Sequence, residues 1–575
     1  MITVWHRPRP GGGAASLSLV LAAITVMLYL PALDGEFVYD SWSQILVDDY
    51  VHDLYHLPDV LLFRVVAQDV LDGVRPVHLL SLMIDSALWG KNPVGYHLTN
   101  VLLHAANTML LFWFLLHLIR IQIPGTCPES KSSDGIVPLA RGDYRGSLSG
   151  ADVPVPFFPT PYLPQPLLGK EGRTQRHALA GAFIGALFFA IHPIHGETVC
   201  EVSYREDLLA MFFMLSGLQF AIFFTPVLTR KNIVFGAACV FSFLLSVASK
   251  EVGIAGPPLL FLYWFLFRRA ENRSAWVWLI GGASMLVGTF LVARFTLAPE
   301  QAWVGHQRPD YLGGSFLEML RIQPRLWFLS ARLMVWPQDL CADYGPYAIR
   351  HTSMGLALAS LAATGFFQGI LICRKEKAIL LAAAIYWSGL LPVSNLAPIY
   401  RPLADHFLYL PMVGLALLIA MLVAQPVWWK SLRRSRIMMT VCLIMCGILA
   451  CLTFERERAW HDRVSLWTDT METNPFSYTA ANNLAFALFD RGDISEAVLS
   501  WRKAIELSKG KQADSLAGLA IGLEALGFSR EADQAFEKAA ELDPRYQDPS
   551  LLVKSLIWDQ QQAQKLRVIA RRVAR

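Results

Sequence analysis

Hydrophobic positions in the first 455 residues run in long blocks, and beyond residue 455 they break up into short amphipathic helices. A helix needs about 20 apolar residues to cross the hydrocarbon core of a bilayer. Eleven blocks approach that length: 16–33, 98–120, 177–192, 205–225, 232–248, 253–268, 275–297, 353–372, 377–393, 406–425 and 436–454. The pattern predicts an all-α protein, a polytopic membrane helix bundle over 1–455 followed by a helical domain over 456–575. The stretch 321–337 is apolar but interrupted by Arg321, Arg325 and Arg332. It is expected to lie in the interface or re-enter; if it spans, the parity of the bundle breaks.

The tail carries a period. Gly492, Ala497, Trp501 and Ala504 return 35 positions later as Gly527, Ala532, Phe536 and Ala539, with Pro544 closing the second unit. Small residues at helix-crossing positions around an aromatic mark the tetratricopeptide repeat. Trp467 lies 34 before Trp501 and Pro475 closes that half-unit, so the stack is expected to begin near Trp460. Two repeats are too few to stand alone, and they are expected to lean on the membrane domain and on a basic helix over 549–574.

Charge orients the bundle. With the N-terminus in the cytoplasm, Arg230-Lys231, Arg268-Arg269, Arg374-Lys375 and the run Lys430, Arg433, Arg434, Arg436 all fall inside, as the positive-inside bias requires. Loop 34–97 then lies outside and is acidic, with Asp34, Glu36, Asp40, Asp48, Asp49, Asp53, Asp59, Asp69, Asp72 and Asp85. An odd number of spans puts the tail on that same outer side. Arg7 and Arg9 precede the first block with no small-x-small cleavage pattern after it, so a retained signal anchor is expected. Residues 122–176 are rich in Pro, Gly and Ser, which predicts a disordered cytoplasmic loop.

Composition agrees with a lipid solvent. Of 575 residues 54% are hydrophobic and only 17% charged, against roughly a quarter charged in soluble domains. A net charge of +4 over this length gives no footprint for nucleic acid. Cys200, Cys239, Cys373, Cys442, Cys446 and Cys451 sit in or beside apolar segments and read as small hydrophobes, without a disulfide framework.

Ionisable groups at the edge of apolar spans are costly, and each is a functional candidate. Asp40 follows Phe37-Val38-Tyr39 just past the first block. A partly desolvated carboxylate there would have a raised pKa and act as a proton acceptor; the other reading is a solvated loop acid or a helix cap. Arg75-Pro76 and Gly95-Tyr96-His97 introduce the second block, where His97, Asn100 and His104 share one helix face. That face would bind a sugar or phosphate, or join two helices. His192-Pro193-Ile194-His195-Gly196-Glu197 invites a metal reading, but Pro193 and Gly196 argue for a turn, so a polar turn lining a pocket is expected and no metal site. Arg205 is available there for an anion. Lys250 and Glu251 either pair with each other or offer Lys250 to a lipid phosphate. Arg401, Asp405 and His406 stand at the mouth of the tenth block, Arg401 being the best phosphate ligand by its planar fork. There is no Gly-rich phosphate loop, nucleophile elbow or Rossmann fingerprint, which points to a donor carried by the membrane.

These segments, in this order, resemble the transmembrane and tetratricopeptide-repeat O-mannosyltransferases and their bacterial relatives, in the GT-C superfamily of polyprenyl-phosphate-sugar glycosyltransferases. The resemblance covers nearly everything outside 122–176. It rests on Phe37-Val38-Tyr39-Asp40, Arg75-Pro76, Gly95-Tyr96-His97 with Asn100 and His104, His192 through Glu197, Arg205, Ser249-Lys250-Glu251, Trp336-Pro337 with Asp343-Tyr344, Leu408-Tyr409-Leu410-Pro411, and the approach to the repeats through Trp460, Trp467, Asn474-Pro475 and Asn482-Asn483-Leu484. It implies a catalytic acid in the first outer loop, mapping to Asp40, and no cofactor beyond the lipid-linked substrate. Two positions depart from the family. Ser41 stands where a second acid is usual, which would shift part of its role to Asp48 or Asp49, and His406 stands where relatives carry Arg.

The expected function is inverting transfer of a hexose, mannose first among them, from a polyprenyl-phosphate carrier to a Ser or Thr hydroxyl. The repeats would hold the polypeptide acceptor, and a multi-pass place in the bacterial inner membrane is favoured. The phosphate-side residues would be Arg75, Arg205, Lys250, Arg401 and His406. Two alternatives stay open: a GT-C transferase with another sugar or a lipid or glycan acceptor, and a non-enzymatic membrane-anchored repeat scaffold.

Overall fold

The computed structural model describes residues 12–68, 70–122, 165–298, 311–345, 353–373, 376–399, 401–548, 550 and 558–574. It is helical throughout, with no strand among the described residues. Every one of the eleven apolar blocks falls on helix. Leu, Ala, Val and Phe fill these helices, and caps start several of them: the side chains of Thr229, Asn272, Ser315 and Ser431 each accept a first-turn backbone N–H.

By length and composition, six helices are each able to cross a membrane: Pro93–Gln122, Val202–Phe223, Arg230–Ser249, Arg273–Leu297, Asp405–Lys430 and Leu432–Ala459. Two bent pairs raise the number to eight, Gly13–Leu28 with Leu30–Val47 at 41° and Gln175–Ala190 with Pro193–Cys200 at 47°. The expected eleven is thus more than the described helices supply. Block 253–268 is divided into Gly256–Tyr263 and Trp264–Arg268, while Met354–Gly365 and Lys377–Leu390 are shorter apolar helices. The protein is a multi-pass helical membrane protein with a helical C-terminal region.

Close backbone approach holds the bundle. Helix Tyr409–Ala424 packs between Gln165–Ala190 and Lys377–Leu390. A Cβ at Gly181 would come within 2.5 Å of the Ala420 carbonyl oxygen, and one at Gly185 within 2.6 Å of the Ala416 oxygen. Two glycines four apart, facing alanines, let apolar helices meet without a hydrophobic driving force between them.

Helix Phe316–Val335 carries Pro324 and three arginines, Arg321, Arg325 and Arg332. Arg294 before it pairs with Glu251, and Tyr344 after it bonds Asp405, both at the same end of the bundle. A single full crossing by this helix would leave those two residues at opposite faces. The interfacial or re-entrant reading of 321–337 therefore agrees with the geometry.

The acidic loop is folded. Phe37, Ile45, Val51, Val60, Val65, Leu79, Leu82, Met83 and Tyr96 close a small core against Val202. Residues 123–164 of the Pro-rich stretch lie outside the described residues, but from Gln165 the chain is already helical, so that stretch ends earlier than expected. Asp69, Arg7, Arg9, Arg374-Lys375 and residues 549 and 551–557 of the expected basic helix also lie outside them; the described part of that helix is Gln560–Val573.

The tail stacks helices Arg463–Thr473, Tyr478–Arg491, Ile494–Ser508, Ala513–Ala525 and Ser529–Leu542. The two periodic glycines end helices in the left-handed region, Gly492 at φ 99° and Gly527 at φ 86°, which glycine adopts without steric cost. Trp501 is fully buried and lies against Gly518, where an added Cβ would fall 2.3 Å from its Nε1. Trp501→Ala is expected to destabilise the tail by about 3–5 kcal/mol through transfer and cavity terms, read by thermal unfolding of the purified protein. Contacts that tie the stack to the membrane end include the Glu36 N–H donating to the His461 carbonyl at 2.8 Å, Arg456 reaching Asp469 at 2.7 Å, and Asn474 Nδ2 donating to the Asp343 carbonyl at 2.7 Å.

Candidate active site

Asp40 stands on a single helical turn, Tyr39–Ser41, beyond the break after the first helix. Tyr39 has φ 51°, the left-handed region, which costs a non-glycine residue about 1–3 kcal/mol. Rings and charge hold it there: the Arg401 guanidinium lies 4.2 Å over the Tyr39 ring, and Trp467 from the tail is 5.0 Å away. The strained turn aims Asp40 into the polar end of the bundle. Its Oδ2 accepts from the Tyr204 hydroxyl at 3.3 Å and lies 3.6 Å from Arg401. The Asp40 side chain is 48% exposed, so it borders open space while dense protein backs it. That burial raises its pKa above the usual carboxylate range, against the lowering pull of Arg401 and the Tyr204 hydrogen bond.

Arg401 is the hub. One nitrogen donates to the Tyr204 hydroxyl at 2.6 Å and lies 3.7 Å from Glu197. Glu197 in turn meets His406 Nδ1 at 3.2 Å and accepts the His406 backbone N–H at 3.0 Å. The His406 ring stacks on Tyr204 at 4.0 Å. Four separate segments thus supply one cluster: the Asp40 turn, the Pro193–Cys200 turn, the start of Val202–Phe223, and the approach to Tyr409–Ala424.

Ser41 is engaged by a carboxyl group from elsewhere in the chain. Its backbone N–H and hydroxyl donate to Glu201 at 2.8 and 3.2 Å, and the Ser203 hydroxyl donates to Glu201 at 2.7 Å. Glu201 lies in the turn between two helices, fully buried, and burial pushes its carboxyl up to about 8. A carboxyl group is therefore brought beside Ser41 from 160 residues away. Asp48 and Asp49 are engaged elsewhere, Asp48 with the Tyr50 N–H at 3.0 Å and Asp49 with Lys91 at 3.1 Å.

A second network adjoins the first. Arg75 bonds Asp72 at 3.1 Å, Glu251 at 3.2 Å, and Glu206. Lys250 contacts Glu206 at 2.8 Å and Asp207 at 2.6 Å, and Arg294 pairs with Glu251. Lys250 and Glu251 therefore do not pair with each other; each finds partners on other helices. Burial raises Asp72 to about 6, against the pull of Arg75. Burial alone would lower the Lys250 ammonium, but Asp207 and Glu206 hold it above its usual range. Across both networks four cations (Arg75, Lys250, Arg294, Arg401) face six carboxylates (Asp40, Asp72, Glu197, Glu206, Asp207, Glu251). Arg75 and Lys250 are committed at short range, whereas the ion pairs of Arg401 are the long ones. Arg401 is the cation best placed to turn toward an arriving anion.

Other candidates sit deeper and hold the scaffold. Arg205 is fully buried, bonding Asp85 at 2.6 Å, Asn100 Oδ1 at 2.7 Å, the Tyr96 carbonyl at 2.8 Å and the Ser81 carbonyl at 3.2 Å. It is not open to a phosphate, because its donors are used inside the protein. Asn100 also donates to the Val199 and Glu201 carbonyls at 3.2 Å. His104 bridges the Tyr409 hydroxyl at 2.8 Å and the Ala190 carbonyl at 3.1 Å. His97, His192 and His195 are buried, His195 among Phe189, Tyr409 and His104. Of the two readings of the His97, Asn100 and His104 face, the helix-joining one describes Asn100 and His104. Asp405 accepts from Tyr344 at 2.6 Å and lies 3.4 Å from Arg456, clamping the tail side. No group of three or more His, Cys, Asp or Glu among the described residues is arranged to hold a metal ion.

Asp85→Ala would strand the Arg205 guanidinium inside the protein, an expected loss of about 3–5 kcal/mol. The readout is a lowered midpoint of thermal unfolding in detergent. An unchanged midpoint with weakened donor binding would instead return Arg205 to the substrate side.

Sequence reasoning did not single out Tyr204, Glu201, Glu206 and Asp207 as site residues. The available signal was a run of polar residues in the short turn between two apolar blocks, 200–207.

Fold and site together define a multi-pass helical membrane protein with a carboxylate-centred polar site at one end of its bundle. No family model matches the chain, and no solved structure matches it. Among curated proteins it is 24% identical over 508 residues to Protein O-mannosyl-transferase F38B6.6 of Caenorhabditis elegans, covering 85% of this chain and 62% of that protein. It is 23% identical to Protein O-mannosyl-transferase TMTC4 of Homo sapiens, over 84% of this chain and 65% of the relative. It is 25% identical to Protein O-mannosyl-transferase Tmtc3 of Drosophila melanogaster, over 82% and 52%. These relatives bear out the resemblance to the transmembrane and tetratricopeptide-repeat O-mannosyltransferases. The chain spans about half to two thirds of their length. They are animal proteins, and they lend no support to a bacterial inner membrane.

Proposed function

We propose that this chain is a membrane glycosyltransferase that moves a hexose, mannose first among the candidates, from a polyprenyl-phosphate donor to a Ser or Thr hydroxyl of a protein. The observation that carries the reading is the half-open Asp40 carboxylate beside Arg401, on a chain similar over most of its length to proteins named O-mannosyl-transferases. In this mechanism the acceptor oxygen attacks the anomeric carbon as Asp40 takes its proton. The bond from that carbon to the phosphate oxygen breaks, and the lipid phosphate leaves with the electron pair. A phosphate leaves as an anion and needs charge stabilisation more than a proton. Arg401 supplies it as a fork able to bind two oxygens. The tail acts as a tetratricopeptide-repeat domain on the same extracytoplasmic side, raising the local concentration of acceptor.

The test uses wild-type protein in nanodiscs with radiolabelled polyprenyl-phosphate-mannose and Ser/Thr peptides. Label in peptide supports the reading. Label only from another lipid-linked sugar would change the donor, and label from none of a donor panel would remove the transferase.

A further inference from the structure

A cavity of about 510 Å³ opens beside the site, between the outer loop and the tail. Trp42 forms one wall, Arg463, Phe489 and Asp490 a second, and the start of Gln560–Val573 the third. Trp42 is two residues from Asp40, so their Cα atoms are no more than about 7 Å apart. We infer that this cavity is the subsite for the acceptor polypeptide, seating residues within two or three positions of the hydroxyl that is modified; the inference rests on the transferase reading above.

The lining chemistry selects the ligand. Arg463 and Asp490 neutralise each other at 2.8 Å, and the Arg463 guanidinium backs the Trp42 ring at 4.8 Å. Lys565 lies 4.3 Å over the Phe489 ring. With its charges paired or stacked, the cavity offers no free field to a phosphate, and its polar lining does not suit a lipid tail. Gln560 and Gln561 are exposed at the third wall. An amide both donates and accepts, which matches the N–H and C=O of a peptide unit. An aromatic wall beside such amides suits an extended chain with small or apolar side chains. Position argues for the acceptor over the donor sugar: two of the three walls come from helices of the tail, so this pocket receives what arrives from water.

The experiment places the photo-crosslinking residue p-benzoylphenylalanine at Gln561, or at exposed Glu537 as a control, in the full chain in nanodiscs. A biotinylated Ser/Thr 15-mer library is added, and transfer kinetics are measured for Trp42→Ala and Gln561→Ala. Expected are peptide adducts from position 561 only and an acceptor KM raised about tenfold, with kcat changed less than twofold. Equal capture at 537 and 561, or a wild-type KM in both variants, would overturn the inference. Failure of the transferase reading looks different: no sugar reaches peptide with wild type, while adducts at 561 still report on the cavity. Loss of both adducts and KM effects with wild-type transfer intact removes the cavity alone.

Discussion

Asp40→Asn should leave a folded protein that transfers sugar between about 10²- and 10⁴-fold more slowly than wild type, the span general-base catalysis contributes. The amide keeps the shape of the turn and the hydrogen bond from the Tyr204 hydroxyl, so Tyr39, Arg401 and Trp467 retain their packing. What it loses is the ability to take a proton. The pH dependence follows from the same group. As the proposed base, Asp40 would act only when ionised, so kcat/KM is expected to fall as pH drops through its pKa. Because burial raises that pKa, with Arg401 opposing, the acid limb should lie above the value of an ordinary aspartate. A limb at or below that value would assign the base elsewhere, while a limb near 8 would point to Glu201, whose carboxyl burial pushes up to about 8 and which bonds Ser41.

The second large effect is expected at Arg401. Replacing it by Gln removes the cation whose ion pairs are longest and whose side chain is partly open, 20% exposed. Loss of one preorganised charge at a developing anion costs about 10²- to 10³-fold in kcat. Arg401→Lys should recover only part, since an ammonium lacks the planar fork and the stacking on Tyr39. Thermal unfolding separates this from misfolding. Arg401→Gln should shift the midpoint less than Asp85→Ala does, because Asp85 neutralises a fully buried guanidinium. Equal turnover in Arg401→Gln and wild type would pass the phosphate to Lys250 or Arg75.

Much of the architecture was legible in the chain. The 35-residue return of Gly492 and Trp501 as Gly527 and Phe536 marked both helix ends and both buried aromatics, because stacked hairpins repeat one packing solution. The position of Asp40 at the polar end of the bundle was legible from its place just past an apolar block. The number of spans was not, because a length rule reads composition and cannot see that block 253–268 is divided into Gly256–Tyr263 and Trp264–Arg268, or that Met354–Gly365 and Lys377–Leu390 form only short apolar helices. Nor was the division of labour in Tyr204-Arg205-Glu206-Asp207. Neighbours on a helix point in different directions: Arg205 turns inward to Asp85 and Asn100, Glu206 to Arg75 and Lys250, and Tyr204 to Asp40. Those assignments depend on partners 44 to 164 residues away. The departure at Ser41 has the same character, since Glu201 reaches it only through the fold.

The measurement that tests direct displacement most closely is the anomeric configuration of the hexose on a Ser/Thr peptide, formed from polyprenyl-phosphate-mannose and read by NMR. One displacement assisted by Asp40 predicts a linkage inverted relative to the donor. A retained configuration, or a product whose sugar is joined to anything but the peptide hydroxyl, would contradict the account.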